Sequence, residues 1–526
     1  MKVTDTFSGS KIPKGTKFLY PAGTIFRDSA YTLVSLFFMM FIQYCAPLGY
    51  SWTMTGTVDP GIYTSQMLVI SAIIIILRVW DGFNDPIMGW VIEKCHFKTG
   101  KYKPWILIGG LSNAVVLFLM FYLRPVGWSY VICFAIFYLL WDFTFTMNDI
   151  GYWSMLPSLS SDEKERNNVT TLVSVCASIG AFAAGGIIPM FVSGNAVNMY
   201  ALIAGIIALL FAASQTILFF FCKEHKRDEK QEKISEDTKF SDMFRIFRKN
   251  SQVRISTIVI LIYYLGSAIL NAFGLNYFYF NYGYGNGGTI QFLFTIAYAL
   301  GTIIAQCLFP LLIKKFNRSQ LFTISFVLIF IGYILFFFYD LKIGDVILGF
   351  KPAELESATS IIDVVILSIL GIVIFAGEGI FYLILLVMMA NTIEYNEFEF
   401  GERRESLIFA MRPLTAKISS AIQQGVVAIG LTATGLYALS SKISELEVDK
   451  GLGNITPDQV IAGADVQIAN IENWQLIVLK IFMCVIPLIL FIICYFLIKK
   501  KYFIDEKFYN NMCKEIEARK EKSTTK

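Results

Sequence analysis

With 526 residues, 56% of them hydrophobic, a mean hydropathy of +0.59 and only 16% charged, the chain is too apolar for a soluble multidomain protein. The net charge of +4 is small, no nucleic-acid partner is expected, and the placement of the charges says more than their sum.

Apolar runs long enough to cross a bilayer predict twelve spans, centred near residues 40, 78, 112, 140, 180, 210, 265, 300, 330, 376, 421 and 486. An all-α membrane protein of two six-helix bundles follows. Its expected divisions are a cytoplasmic N-terminal segment (1–28), an N-terminal bundle (29–222), a linker (223–252), a C-terminal bundle (253–498) and a cytoplasmic tail (499–526). Lysines and arginines crowd the N-terminus (Lys11, Lys14, Lys17), the loop after span two (Lys94, Lys98, Lys101, Lys103), the central loop, the loop after span eight (Lys314, Lys315, Arg318) and the tail. The alternate loops carry almost none, so the positive-inside rule places both termini in the cytoplasm of a multi-pass cell-membrane protein. No cleavable signal peptide is expected, because the first twenty residues lack an apolar core. Cys133, Cys176, Cys307, Cys484 and Cys494 fall inside apolar runs and read as small packing residues rather than a disulfide framework.

In chain order, Arg27 and Asp28 stand where the first apolar run begins. They read either as a snorkelling interfacial pair or as part of a site. Span two ends in RVWDGFNDPIMGW. A charge at bilayer depth costs about 2.5 to 3.5 kcal/mol, so Asp81 and Asp85 there need a reason. Spaced i, i+4, they share a helical face with Arg78 a turn before and Asn84 beside them. Two stacked carboxylates repel unless one takes a proton or a cation sits between them. Span four, YLLWDFTFTMNDIGYWSMLP, carries Asp142 and Asp149 on one face, with Thr146 a turn before Asp149 and Trp153 a turn after. A carboxylate next to a large aromatic suits a sugar, since the acid takes hydroxyl hydrogens and the ring covers the apolar face of a pyranose. A structural acid beside a packing ring is the bland alternative.

Two correspondences, GWVIEK with PLLIKK and SSDEKERNN with EFGERRES, each six spans apart, indicate an internal parallel repeat. Between the halves, a mixed-charge stretch precedes Phe240, Met243, Phe244 and Phe247, spaced as on an amphipathic interfacial helix or an extension of span seven. In the second half Glu378 and Tyr382 lie on span ten, and Arg412 and Lys417 on span eleven. Acids in one half and bases in the other could pair in one charge network with Arg78, Asp142 and Glu378 as coupling groups, or serve only to close a cavity. Ser440 to Asn473 reads as a mildly acidic outer loop. Enzymatic readings fare badly: the two histidines, His96 and His225, lie in loops, and neither a phosphate-cradling glycine loop nor a metal-ligand spacing occurs.

The stretches RVWDGFNDPIMGW, KTGKYKPWILIGG, WDFTFTMNDIGYWSMLP, DEKER and EYNEFEFGERRES closely resemble the glycoside-pentoside-hexuronide:cation symporters, a branch of the major facilitator superfamily, from about Arg27 to the end of span twelve. The resemblance implies a cation site at Asp81 and Asp85, with Asn84, Thr146 and Asp149 at neighbouring positions. It implies a sugar site at Arg27, Asp28, Asp149 and Trp153, with Tyr382, Arg412 and Lys417 from the second half. Tyr382 stands where a member of the family has tryptophan, and Ser174 where it has a sugar-binding arginine. Arg412, Glu378 and Asp142 replace neutral residues. Arg412 would then either receive a uronate carboxylate in bidentate fashion or neutralise Glu378.

The expected activity is therefore symport, by alternating access, of a glycoside, pentoside or hexuronide with Na+ or H+, and not an enzymatic reaction. The expected partners are a sugar, a monovalent cation and the bilayer, with no cofactor beyond the coupling ion and a monomeric working unit. Asn84, a hard oxygen ligand, tilts the ion toward Na+ held at Asp81 and Asp85. A lysolipid or drug carrier of the same fold and a non-transporting sugar sensor are the alternatives.

Overall fold

The computed structural model describes residues 6–7, 12–95, 97, 99–156, 159, 163–225, 240–343, 346–351, 361–402 and 404–524. His96, Lys98, Asp162, Arg403, Lys11 and the mixed-charge part of the linker (226–239) lie outside them. The helices are α1 (Lys14–Cys45), α2 (Pro60–Lys94), α3 (Lys103–Tyr122), α4 (Trp128–Met155), α5 (Glu163–Val192), α6 (Ala196–Phe221), α7 (Phe240–Lys249), α8 (Ser251–Tyr282), α9 (Tyr284–Lys315), α10 (Arg318–Phe338), α11 (Ile361–Phe400), α12 (Glu405–Ala433), α13 (Leu436–Gly451), α14 (Pro457–Ile468), α15 (Asn473–Lys501) and α16 (Glu506–Thr524). Among the described residues, extended pairing is limited to two-residue strands, Thr6–Phe7 with Glu224–His225 and Lys342–Ile343 with Val346–Ile347, and a single bridge between Phe97 and Gly100.

Eleven of these helices are long and apolar enough to cross a membrane; α12 with α13 makes a twelfth passage only as a pair bent by 90°. Start signals are local. Asp59 caps α2 by accepting from the amides of Gly61 (2.7 Å) and Ile62 (3.1 Å), with Pro60 in the first turn. The basic residues that close α2 (Lys94) and α9 (Lys314, Lys315) sit where the helix dipole favours them.

By its contacts the chain divides into two compact units. One comprises Met1–Asp237, Phe278–Phe292 and Leu431–Ile471, and the other Thr238–Tyr277, Leu293–Gly430 and Glu472–Lys526. In the first, α1 packs on α5 and α6, α3 on α4 and α6, and α2 on α4. The α1–α5 crossing depends on Gly180, where an added Cβ would collide with the Ile25 carbonyl oxygen. A buried amide brace ties four helices. Gln215 Nε2 donates to the Gly23 carbonyl (3.0 Å), and Asn148 Nδ2 donates to the Ile106 carbonyl (2.7 Å) and Gln215 Oε1 (3.3 Å). Satisfied in this way, amides at bilayer depth hold helices together instead of penalising them.

The helix α1 begins fifteen residues before the expected edge of the bundle. Thr16, Tyr20, Thr24 and Arg27 recur every three or four residues and are all buried, so polar residues carry the inward face that apolar ones usually mark.

The segment expected to be an outer loop is instead the two helices α13 and α14. Gly435, with φ of 70°, supplies the left-handed residue that lets the chain turn 90° out of α12. Thr456 and Gln459 form a capping box at the start of α14. Leu436, Ser440, Ile443, Ser444, Glu447 and Val448 make the buried face of α13. Ser440 accepts from Gln43 Nε2 (2.7 Å), Ser444 donates to the Ala46 carbonyl (3.1 Å), and Glu447 receives the amides of Gly194 (2.9 Å) and Ala196 (2.7 Å) and the hydroxyl of Tyr284 (2.8 Å). The carboxylate thus caps α6 from another element.

In the second unit α10 packs along α11, and most of the expected tail forms α16 against α11. Lys480 pairs with Asp340, which also accepts from Tyr277 (2.7 Å). In the linker, α7 buries Met243 and exposes Phe244.

Gly180→Val should force α5 away from α1 and destabilise the protein by about 1 to 3 kcal/mol. Thermal unfolding in detergent measures this, and an unchanged melting temperature would refute the close crossing.

Candidate functional site

Positions 142, 146, 149 and 153 of α4 follow one another at helical spacing and form one stripe. At its lower end Asp149 meets Arg27 of α1. Arg27 Nη1 lies 3.3 Å from Asp149 Oδ1, while Nη2 and Nε donate to Asp28 Oδ2 at 3.0 and 3.2 Å. Trp153 Nε1 donates to Asp149 Oδ1 at 3.0 Å. Arg27 is 2% exposed and turned inward, so it is no snorkelling interfacial charge. Its guanidinium lies 4.5 Å from the centre of the Tyr152 ring and 5.4 Å from that of Trp153. Tyr152 is itself clamped: it stacks on Tyr20 at 4.2 Å and donates to the Tyr20 carbonyl at 2.6 Å.

One buried cation thus holds two carboxylates whose side chains remain 25% and 38% exposed. The cluster lies at a wet edge, beside a tryptophan that is 39% exposed. Such a set can accept hydroxyl hydrogens at the acids and stack an apolar ring face on the indole.

Higher on the stripe, Asp142 and Thr146 are buried, and Asp142 meets α2. Asp81 is 6% exposed, Asn84 is buried, and Asp85 is half-buried. Asn84 Nδ2 lies 3.5 Å from Asp142 Oδ2. The buried Arg78 sits 5.9 Å from the centre of the Tyr138 ring and 6.0 Å from that of Trp141, within electrostatic reach of Asp81 and Asp142. Among the described residues no three His, Cys, Asp or Glu side chains converge as a metal cluster. The oxygen donors here are carboxylates, an amide and a hydroxyl, all hard, and of a kind that suits a proton or an alkali cation better than a transition metal.

In the second unit Tyr382 and Tyr264 share a hydrogen bond of 2.9 Å, and Tyr382 stacks on Tyr263 at 5.4 Å. Glu378 is 2% exposed and receives Ser267 Oγ at 2.7 Å and Tyr333 OH at 2.9 Å. Arg412 does not neutralise it: hydroxyls from α8 and α10 occupy both carboxylate oxygens, and Arg412 is exposed on α12, acting on the Tyr264 hydroxyl. Lys417, half-buried, is on the same helix. Tyr20, Tyr152, Ser267 and Tyr333 were not legible as site residues. The YY pair in LIYYLGS was the one visible signal on α8, and tyrosines are common in apolar helices.

The fold is that of the major facilitator superfamily, a class of multi-pass membrane transporters. A bacterial homolog of the human lysosomal transporter Spinster, solved in an inward-facing and unoccupied conformation, superposes with a TM-score of 0.56 over 93% of this chain and 97% of that one, at 11% identity. Residues 28–506 match the family model of the MFS/sugar transport proteins, and the chain belongs to that family. The lactose permease of Lactobacillus delbrueckii subsp. bulgaricus is 27% identical over 434 residues, 79% of this chain and 62% of that protein. The raffinose carrier protein of Pediococcus pentosaceus is 26% identical over 430 residues, 78% and 61% respectively. The glucuronide carrier protein homolog of Escherichia coli K12 is 22% identical over 382 residues, 72% and 78%. The chain spans about three fifths of the length of the first curated relatives it matches.

Arg27→Gln removes the cation shared by Asp28 and Asp149. It should cost about 2 to 3 kcal/mol, less than for a fully buried pair because both acids reach water. Adding Asp149→Asn should restore part of the loss. Melting of the single and double variants in detergent checks this, and simple additivity would show that the contact is energetically idle.

Proposed function

We propose that the chain imports a glycoside, pentoside or hexuronide together with Na+ or H+, by alternating access, as a monomer in the cell membrane with both termini cytoplasmic. One observation carries the reading: a single face of α4 bears both the acid that meets Trp153 and Arg27 (Asp149) and the acid that meets Asn84 of α2 (Asp142). A cation bound at Asp81 and Asp85, with Asn84 and Thr146 as neutral oxygens nearby, relieves carboxylate repulsion and fixes the rotation of α4. That rotation aims Asp149 and Trp153 at the sugar. Sugar bound at Asp28, Asp149 and Trp153 holds α4 in the same rotation and so favours the cation. Linkage requires the two enhancements to be equal.

Arg27 orients both sugar-binding acids, and Arg78 sets the resting charge of the cation cluster. The names of the relatives, for lactose, raffinose and a glucuronide, support a glycosidic substrate. Arg412 and Lys417, the basic groups on α12, are the residues suited to a uronate carboxylate, and Tyr382 is the second aromatic surface.

Uptake of a panel of labelled glycosides into membrane vesicles, with and without Na+ and pH gradients, tests the proposal. Accumulation should follow one gradient, and saturable binding without accumulation would refute transport. Asp85→Asn should abolish cation-stimulated uptake while the protein is still made; cation dependence like that of the parent would remove Asp85 from the ion site. Trp153→Ala should weaken sugar affinity by about 1 to 3 kcal/mol, read from equilibrium binding. An unaltered affinity would place the sugar elsewhere.

A further inference from the structure

Glu378 lies near the middle of the forty-residue helix α11, far from the acids of α2 and α4 in sequence and in a different compact unit. A carboxylate at that depth is costly unless it is paired or protonated. Its partners among the described residues are three hydroxyls: Ser267 on Oε2, Tyr333 on Oε1, and Tyr263, which donates to the Glu378 backbone carbonyl at 3.0 Å. The titratable and charged groups around it are Tyr263 and Tyr264 of α8, Tyr298 of α9, Tyr333 of α10 and Tyr382 of α11 itself. Beyond them, Cys484 of α15 acts on Tyr333, and Arg412 of α12 acts on Tyr264. Arg412 reaches the Tyr264 end of the cluster, and the groups that act on the Glu378 carboxylate itself are Ser267 and Tyr333.

The chemistry of this cage is what matters. An arginine or lysine partner would fix Glu378 as the anion, and an apolar cage would fix it as the acid. A hydroxyl both donates and accepts. Ser267 and Tyr333 can donate to a carboxylate or, by rotating one O–H bond, accept from a carboxylic acid, with no heavy atom displaced. The cage therefore admits both protonation states. The linked hydroxyls of Tyr264 and Tyr382, both only half-buried, continue this polar cluster toward accessible surface.

We propose that Glu378 is a proton-binding site of its own, separate from the cation site on α2, which takes a proton from water and returns it in each transport cycle. The proposal rests on reading the chain as a symporter and adds a second ion-binding position to it.

Infrared spectroscopy of purified protein, titrated from acid to alkaline buffer, reads the site without any transport. The parent should show the C=O stretch of a protonated carboxylic acid that disappears on titration, and Glu378→Gln should lack that titrating band. Tyr333→Phe and Ser267→Ala, each removing a donor to the anion, should move its disappearance toward alkaline pH by about one unit. These two variants decide the matter if Glu378→Gln does not fold. A difference between parent and Glu378→Gln that stays flat through the titration, or donor variants that leave the band in place, would overturn the proposal.

In vesicles, Glu378→Gln should lose about tenfold or more of pH-gradient-driven sugar accumulation, the tenfold corresponding to about 1.4 kcal/mol of lost driving force. Counterflow exchange should persist. Undiminished pH-driven accumulation would also overturn the proposal. If the parent protein moves no sugar, the symport reading fails on its own, and the infrared titration still decides whether Glu378 binds a proton.

Discussion

A guanidinium inside a membrane helix must find negative charge within reach, and Arg27 finds two carboxylates, Asp28 and Asp149, within 3.3 Å. Much of the first unit follows from satisfying that one group. Tyr20 and Tyr152 lock each other by stacking and hydrogen bonds so that the Tyr152 ring lies against the cation. The helix α1 carries a polar inward face because Arg27 needs it, and Gly180 lets α5 come close enough to shield it. Arg27 thus holds both acids at one edge of the unit, where their partly exposed oxygens can accept hydroxyl hydrogens.

The two halves solve the problem of buried charge differently. On α2 and α4, acids lie near Arg78 and the Asn84 amide. On α11, Glu378 is surrounded by hydroxyls. A guanidinium nearby favours a carboxylate anion, whereas a hydroxyl can donate to the anion or accept from the acid.

The helical spans, the stripe on α4 and the paired acids on α2 were legible because each rests on spacing within one element. What was not legible depends on contacts between elements. Arg27 and Asp28 were visible as a pair, but whether the arginine faced lipid headgroups or the interior turned on Tyr152, 125 positions away in the chain and unremarkable in sequence. Glu378 and Arg412 looked like natural partners by charge. Tyr333 and Ser267 forestalled them, and hydroxyls leave no charge signal in a sequence. The helix α13 was hidden because its buried face uses serines and a glutamate, which dilutes the apolar periodicity that announces a helix, and the twelve-residue α14 buries only Val460 and Ala464.

The two-residue connection between α12 and α13 also has a mechanical meaning. Thr434 is buried and its hydroxyl is bound to the Leu431 carbonyl, while Gly435 donates its amide to the Thr432 carbonyl and accepts from the Ala438 amide, so the corner is pinned on both sides. Since α13 is riveted to the ends of α1 and α6 through Ser444, Ser440 and Glu447, the helix that carries Arg412 and Lys417 ends in a pinned corner whose far arm is held fast.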